Sequence, residues 1–376
     1  MIYANYAATS PRLDGAIVKE LCLWLNETHL AAARNFDSLE AGAVALRARK
    51  AAAKLFGAPD LLKVIFTSGA TQSLNMAING LVRPGCHVLA SSLEHNSCAR
   101  PLEALRKSGF IQLDWVPCAA DGSLDCDFVR RAIKKNTRLL VMTHASNVLG
   151  TILPVEECSK IAGEHGLFFI LDAAQTAGVL PVSLGGGRDV IAFTAHKGLG
   201  ALAGSGGLVI GDEAAREMRP WILGGSGSAS HSLSQPDFTP DKFEAGTQNA
   251  IGVLSLAVAI EEIISTGVEK IREKEAALTA IFIEGLREIK KVKIHGTGDA
   301  RRCTAVVSAS FQGFDSGVAA RLLFEKAGVV TRSGLHCSPL AHKTAGTYPG
   351  GTVRFSFGRG TAREEIDAIL AAVRAL

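Results

Sequence analysis

Phe168-Phe169-Ile170-Leu171-Asp172-Ala173-Ala174-Gln175 opens with an unbroken apolar run and turns polar at a carboxylate. Four consecutive large apolar side chains leave no face for water, so the run predicts a strand covered on both sides, as in parallel sheets. Val64-Ile65-Phe66, His87-Val88-Leu89-Ala90 and Leu139-Leu140-Val141-Met142 have the same character upstream. Pro101 to Lys107 and Pro154 to His165 carry helical spacing between such runs. The stretch from Leu62 to Ile210 therefore reads as an α/β unit, a mainly parallel sheet with helices on both faces.

From Asn249 to Lys291 the pattern is almost wholly helical, with a break near Ser265-Thr266-Gly267. A strand at Ala305 to Ser308, a helix through Val318 to Lys326, strands at Val329-Val330 and Val353 to Phe355, and a helix after Thr361 follow. The expected division is a large domain over 14–255 and a smaller α/β domain made of 1–13 and 256–376. Gly224 to Pro240, rich in Gly and Ser, reads as a mobile loop.

With 376 residues, 47% hydrophobic and 20% charged, the chain can bury a large core and is not expected to be disordered. Its net charge is only +4, and its basic runs are pairs such as Lys290-Lys291 and Arg301-Arg302, so no nucleic-acid or anionic-membrane partner is expected. Met1 to Pro11 lacks the marks of a secretion signal. No segment reaches the ~20 apolar residues that span a bilayer. Cys22, Cys86, Cys98, Cys118, Cys126, Cys158, Cys303 and Cys337 form no CxxC pair, which fits reduced cytoplasmic thiols better than disulfides or a metal site.

Three places carry chemistry. Thr67-Ser68-Gly69-Ala70-Thr71-Gln72 follows a strand and opens a helix. Its small residues expose backbone N–H groups at the positive end of that helix, which suits a phosphate. An ordinary strand-to-helix turn is the competing reading, and without Gly-Lys-Ser/Thr it is not a nucleotide P-loop. Asp172 stands at the C-terminal end of its strand, where open α/β sheets bind ligands. There a carboxylate can pair with a protonated ring nitrogen, or simply cap the next helix. Lys197, after the apolar run Val190-Ile191-Ala192-Phe193, is close enough to a buried strand for desolvation to favour the free amine that forms an imine, although most lysines are merely solvated. Gly198 to Ala203 also matches G-x-G-x-x-G/A, but it runs into Gly204-Ser205-Gly206-Gly207 and another strand instead of a helix.

The order of these motifs, with Glu94-His95-Asn96-Ser97, Asn147, Asp172-x-x-Gln175 and Thr194-x-His196-Lys197, resembles the class V, fold-type I enzymes that use pyridoxal 5′-phosphate. The resemblance begins at Asn5-Tyr6-Ala7-Ala8-Thr9-Ser10-Pro11 and covers nearly the whole chain. It implies a seven-stranded type of sheet and a set of roles. Thr71, Thr194 and His196 would hold the phosphate with backbone help from Ala70. His95 would stack on the ring, Asp172 would pair with its nitrogen, Gln175 would contact its oxygen, and Lys197 would carry it. Asn147 would face both cofactor and substrate. Thr247, within Phe243-Glu244-Ala245-Gly246-Thr247-Gln248-Asn249, would reach the neighbouring subunit's phosphate, which implies a homodimer.

Thr331-Arg332-Ser333-Gly334-Leu335-His336-Cys337 resembles the cysteine loop of cysteine desulfurases and selenocysteine lyases, and Thr352 to Arg359 resembles their substrate-carboxylate segment. Cys337 would be the nucleophile that takes sulfur from L-cysteine as a persulfide, leaving alanine, and Arg354 would grip the substrate carboxylate as a fork. A small buried hydrophobe is the plainer reading of Cys337. His95 and His336 are both candidates for its proton. The 16 residues between Cys337 and Arg354 favour a short, ordered loop. Many relatives carry an Asn-Pro-Ser/Gly-rich segment where this chain has Ala31-Ala32-Ala33-Arg34-Asn35-Phe36-Asp37. The alternatives are a selenocysteine lyase or another β-eliminating enzyme of the class, or a non-catalytic sulfur carrier or assembly protein. A sulfur-acceptor protein is an expected partner of the desulfurase.

Overall fold

The computed structural model describes residues 1–27 and 39–376, so the divergent segment Ala31 to Asp37 lies outside the described residues. The chain opens with β1 (Ile2–Tyr3), α1 (Gly15–Glu27) and α2 (Leu39–Leu55). Next come β2 (Val64–Thr67), α3 (Ala70–Leu81), β3 (Cys86–Ser91), α4 (Asn96–Lys107), β4 (Ile111–Val116), α5 (Cys126–Ala132) and β5 (Thr137–Thr143). They are followed by α6 (Val155–Glu164), β6 (Phe168–Asp172), β7 (Asp189–Thr194), β8 (Gly206–Ile210) and α7 (Asp212–Glu217).

Among the described residues, seven of these strands form one sheet in the order β2-β8-β7-β6-β5-β3-β4. Only β8 runs against the rest. Every residue of β3, β6, β7 and β8 is buried, which is why these strands read as continuous apolar runs. Side chains alternate between two cores. Leu140, Phe169, Leu171, Ile191 and Phe193 face one, with Phe56 stacked on Phe193 at 4.9 Å. Leu139, Val141, Phe168, Ile170 and Val190 face the other. Burying each such side chain contributes roughly 1.5–3 kcal/mol. The edge strand β4 has no apolar run because its outer face is wet: Gln112 is exposed and Asp114 meets His87 and Lys134.

A second unit follows α8 (Ala250–Thr266), a helix buried along most of its length, and α9 (Val268–Arg287). Gly267 between them has φ +88, a left-handed conformation that breaks the helix where the sequence shows its break. The remaining elements are β9 (Val292–His295), β10 (Val306–Phe311), α10 (Ser316–Ala327), β11 (Val329–Val330), β12 (Arg332–Gly334), α11 (Pro339–Thr344), β13 (Thr352–Ser356) and α12 (Arg363–Arg374). An antiparallel sheet β12-β13-β10-β9 covers a core in which Phe282 meets Phe355 and Phe357 at 5.0 Å, and β1 pairs with β11. Gly224 to Pro240 holds no helix or strand. No single helix among the described residues is long and apolar enough to cross a membrane; α8 and α9 pass such a test only as a pair bent by 80°.

Candidate active site

The C-terminal ends of β2, β5, β6 and β7 and the start of α4 converge on one cavity. It is lined by Gly69 to Gln72, His95, Asn147, Asp172, Gln175, Thr194 and Lys197, with His196 and Gly204 at its side. Ala70, Thr71, His95, Asn147, Asp172, Gln175, Thr194, His196 and Lys197 are therefore brought together as the sequence predicts. Thr247, expected to reach the neighbouring subunit's phosphate, is exposed and does not line this cavity; its segment is pinned by the buried pair Arg49–Glu244 at 2.6 Å.

The α3 end of the cavity suits an anion. Gly69 precedes the helix without a side-chain cap, so no side chain occupies the first amides of α3. Gly69 has φ +141, and a Cβ there would stand 3.2 Å from Thr194 Oγ1, so only glycine leaves that space open. At the other end, Asp172 is 4% exposed and its Oδ1 accepts the Ala174 N–H at 2.9 Å. Burial raises its pKa, while its amide bond and the nearby Lys197 pull the other way. Such a carboxylate calls for a cationic partner such as a ring N–H. Burial lowers Lys197 to about 8, against the pull of Asp172 and helped by Arg354 and Arg332, so a useful fraction is free amine near neutrality. The donors, the uncapped helix and the softened lysine fit a pyridine aldehyde that carries a phosphate.

His95 caps α4. Its Nδ1 accepts the Ser97 N–H at 3.1 Å, which puts the ring proton on Nε2. Burial first, then Lys197 and the nearby arginines, lowers it to about 4, so the ring is neutral. Glu94, beside it, is a buried carboxyl raised by burial to about 8. Its Oε1 accepts from Ser91 Oγ at 2.6 Å and Thr143 N at 2.7 Å, tying the ends of β3 and β5 together. Gln175 donates to Ala7 O at 3.1 Å, joining the N-terminal segment to the cavity.

Cys337 is exposed, on a turn between β12 and α11. Its carbonyl accepts the Asn96 N–H at 2.8 Å, which ties the turn to the start of α4. Arg332 Nη2 stands 3.6 Å from Sγ. No sequence signal separated Arg332 from its neighbours in the loop; strand register does, because β12 pairs Arg332 directly with Arg354 of β13. Like charges placed opposite each other destabilise a sheet, and neither arginine forms an ion pair among the described residues. The pair therefore leaves positive charge unspent at the site. Arg354 is 1% exposed and gives Nη1 to Asn147 O at 3.0 Å and Nη2 to Asn5 Oδ1 at 2.9 Å, while its buried Nε has no partner. Burial, then Arg332, lowers its pKa to about 10. His336, one of two candidates for the Cys337 proton, points away, with its nitrogens on Arg332 O and His342. Among the described residues no three His, Cys, Asp or Glu side chains are grouped to hold a metal.

Residues 2–369 match the family profile described as Aminotransferase class-V. A curated relative named cysteine desulfurase IscS, from Dictyoglomus turgidum, is 31% identical over 98% of this chain and 92% of its own length. A probable cysteine desulfurase from Methanothermobacter thermautotrophicus is 31% identical over 82% of this chain and 77% of its own. The solved apo structure of a cysteine desulfurase from Thermococcus onnurineus covers 100% of this chain and 94% of that one, at 29% identity and a TM-score of 0.91.

Proposed function

The chain belongs to the aminotransferase class-V family, and on that footing we propose that it is a pyridoxal-phosphate-dependent cysteine desulfurase that carries sulfur as a persulfide on Cys337. The observation that carries the reading is the exposed Cys337 thiol, held beside the paired Arg332 and Arg354 and tied to the lysine cavity through Asn96.

When bound, pyridoxal phosphate supplies a carbonyl for the substrate nitrogen and a protonated ring that takes up electrons released at Cα. The α3 amides at Ala70 and Thr71, with Thr194 and His196, would hold its phosphate. Asp172 would keep the ring nitrogen protonated, the neutral His95 would cover the ring face, and Gln175 would meet the ring oxygen. Lys197 would hold the cofactor through an amine that burial leaves partly unprotonated near neutrality, and once freed that amine would take the Cα proton. Arg354 orients the substrate carboxylate with its free Nε and remaining Nη protons. Arg332, with Nη2 3.6 Å from Sγ, places a cation beside the reacting Cys337 sulfur. The Cys337 thiolate attacks the substrate Sγ; the new S–S bond forms as Cβ–Sγ breaks, and the bond pair stays with the carbon. Cβ takes up a proton to become a methyl group, the proton removed from Cα is returned, and the carbon skeleton leaves as alanine.

A homodimer belongs to the same reading. Trp221, Leu223, Leu233 and Phe238 expose apolar surface on the segment leading to Thr247, which would complete the partner's phosphate site. So do a domain division of 14–255 against 1–13 with 256–376, a cytoplasmic location and a protein sulfur acceptor. The test is product analysis with cysteine and selenocysteine in competition. With a dithiol present to reduce the persulfide, alanine and sulfide in equal amounts from cysteine support the reading; alanine from selenocysteine alone contradicts it.

A further inference from the structure

His336 and Cys337 have φ +50 and +59, two successive non-glycine residues in the left-handed region. Such backbone persists only where its surroundings over-determine it. On one side, Ser338 Oγ donates to Asn147 Oδ1 at 2.6 Å and Asn147 Nδ2 donates to His336 O at 2.8 Å. One buried amide thus grips the chain on both sides of Cys337 across 189 residues of sequence. On the other side, His336 Nε2 stands 3.2 Å from Arg332 O, which only accepts, so the ring proton is on Nε2. His336 Nδ1 is then the acceptor for His342 Nε2 at 3.2 Å, and His342 Nδ1 accepts from Thr347 Oγ1 at 2.7 Å. Burial, the largest influence on each, lowers His336 to about 3 and His342 to about 4. Both rings are therefore neutral and a single hydrogen-bond pattern is open to them.

We propose that Ser338 and His342 are positioning residues that clamp the Cys337 turn from its two sides and set where the thiol stands during sulfur transfer. Both are fully buried and neither lines the lysine cavity; Ser338 reaches it only through Asn147. The clamp leaves the thiol itself unengaged apart from Arg332, free to meet substrate and then a sulfur acceptor. It rests on the desulfurase reading above, so its test separates the two.

Ser338→Ala, His342→Leu and the donor-preserving His342→Gln are compared with wild-type holoenzyme in three measurements. The first is exchange of the substrate Cα proton in D2O, which needs Lys197 but not Cys337. The second is the single-turnover rate at which Cys337 gains a sulfur atom from cysteine. The third is amide hydrogen exchange of the peptide over residues 335–347, which needs no catalysis. Ser338→Ala and His342→Leu are expected to slow sulfur gain by about 10- to 100-fold, the penalty of a reacting atom displaced by an ångström or so. In both, the peptide should exchange faster while Cα exchange stays within about twofold. His342→Gln should restore most of the sulfur-gain rate. Unchanged sulfur gain and unchanged amide exchange in the first two variants overturn the clamp. Loss of Cα exchange in step with sulfur gain also overturns it, because the residues would then hold the whole site together. A wild type that exchanges Cα but gains no sulfur overturns the desulfurase reading, and amide exchange alone then decides for or against the clamp.

Discussion

Replacing Arg354 by alanine removes three things that the structure separates. The free Nε and the remaining Nη protons lose their hold on a carboxylate, a charge-assisted contact in a site 1% exposed. Losing such a contact costs about 2–5 kcal/mol of transition-state binding, or roughly 30- to several-thousand-fold in kcat/KM for cysteine. Asn147 O and Asn5 Oδ1 also lose their donor. A buried acceptor left unpaired costs about 1–3 kcal/mol, so the buried Asn147 O and the half-buried Asn5 Oδ1 together cost up to about 2–6 kcal/mol, which for a chain of this size lowers Tm by up to roughly 3–8 °C. Against this, relief of the cross-strand repulsion with Arg332 returns a few tenths of a kcal/mol to about 1 kcal/mol. Arg354→Lys keeps the charge but lacks the planar fork, and should remain poor in kcat/KM. Steady-state alanine formation and thermal melts on both variants measure the two effects. Unchanged kcat/KM in both would refute the reasoning, because the carboxylate would then be held elsewhere.

Lys197→Ala should lose covalently attached cofactor; borohydride reduction of wild type should place the pyridoxyl group on the Lys197 peptide, and any other lysine contradicts the assignment. Asp172→Ala should still bind cofactor yet lose most turnover, because an unprotonated ring takes up electrons poorly; near wild-type turnover removes Asp172 from its role. Burial holds His95, His144, His295 and His342 at about 4 and His336 at about 3, against 6.5 in the unfolded chain. A depressed pKa contributes stability that is complete above 6.5 and lost as pH falls through the folded value. Glu94 and Glu275, raised by burial from 4.5 to about 8 and 7, act oppositely, with stability complete below 4.5 and lost as pH rises through those values. Burial also lowers His87 and His196 and raises Asp172, Asp189 and Glu244, so seven histidines stand against five carboxyls and Tm should fall between pH 6.5 and 4; a flat or rising Tm there contradicts the burial argument.

Much of the cavity was legible because it is local. Asp172 and Lys197 each follow an apolar run, and the sheet places the ends of those runs side by side. The edge strand β4 was not legible as an apolar run because its wet face alternates, and β9 is short and half-exposed. Arg354 was read as an open fork, yet two of its nitrogens are committed to Asn147 and Asn5, contacts 207 and 349 residues away in sequence. Asn147 likewise lines the cavity as expected, but its side-chain amide is bonded to His336 and Ser338. Arg332 acquired a role only through register, and His342 through a fold that closes α11 under the Cys337 turn. Spacing along one chain carries no information about such pairings between distant segments.

Wild-type enzyme given cysteine without reductant, alongside Cys337→Ala, tests the central claim most directly. Peptide mass analysis should show one added sulfur atom, about 32 Da, on the wild-type peptide that holds Cys337, and alanine formation from cysteine should be abolished in the variant. Selenocysteine turnover should survive in Cys337→Ala, because a selenol ionises near neutrality and leaves carbon more easily than sulfur. Full alanine formation from cysteine by Cys337→Ala, with no added sulfur on the wild type, would contradict transfer through Cys337.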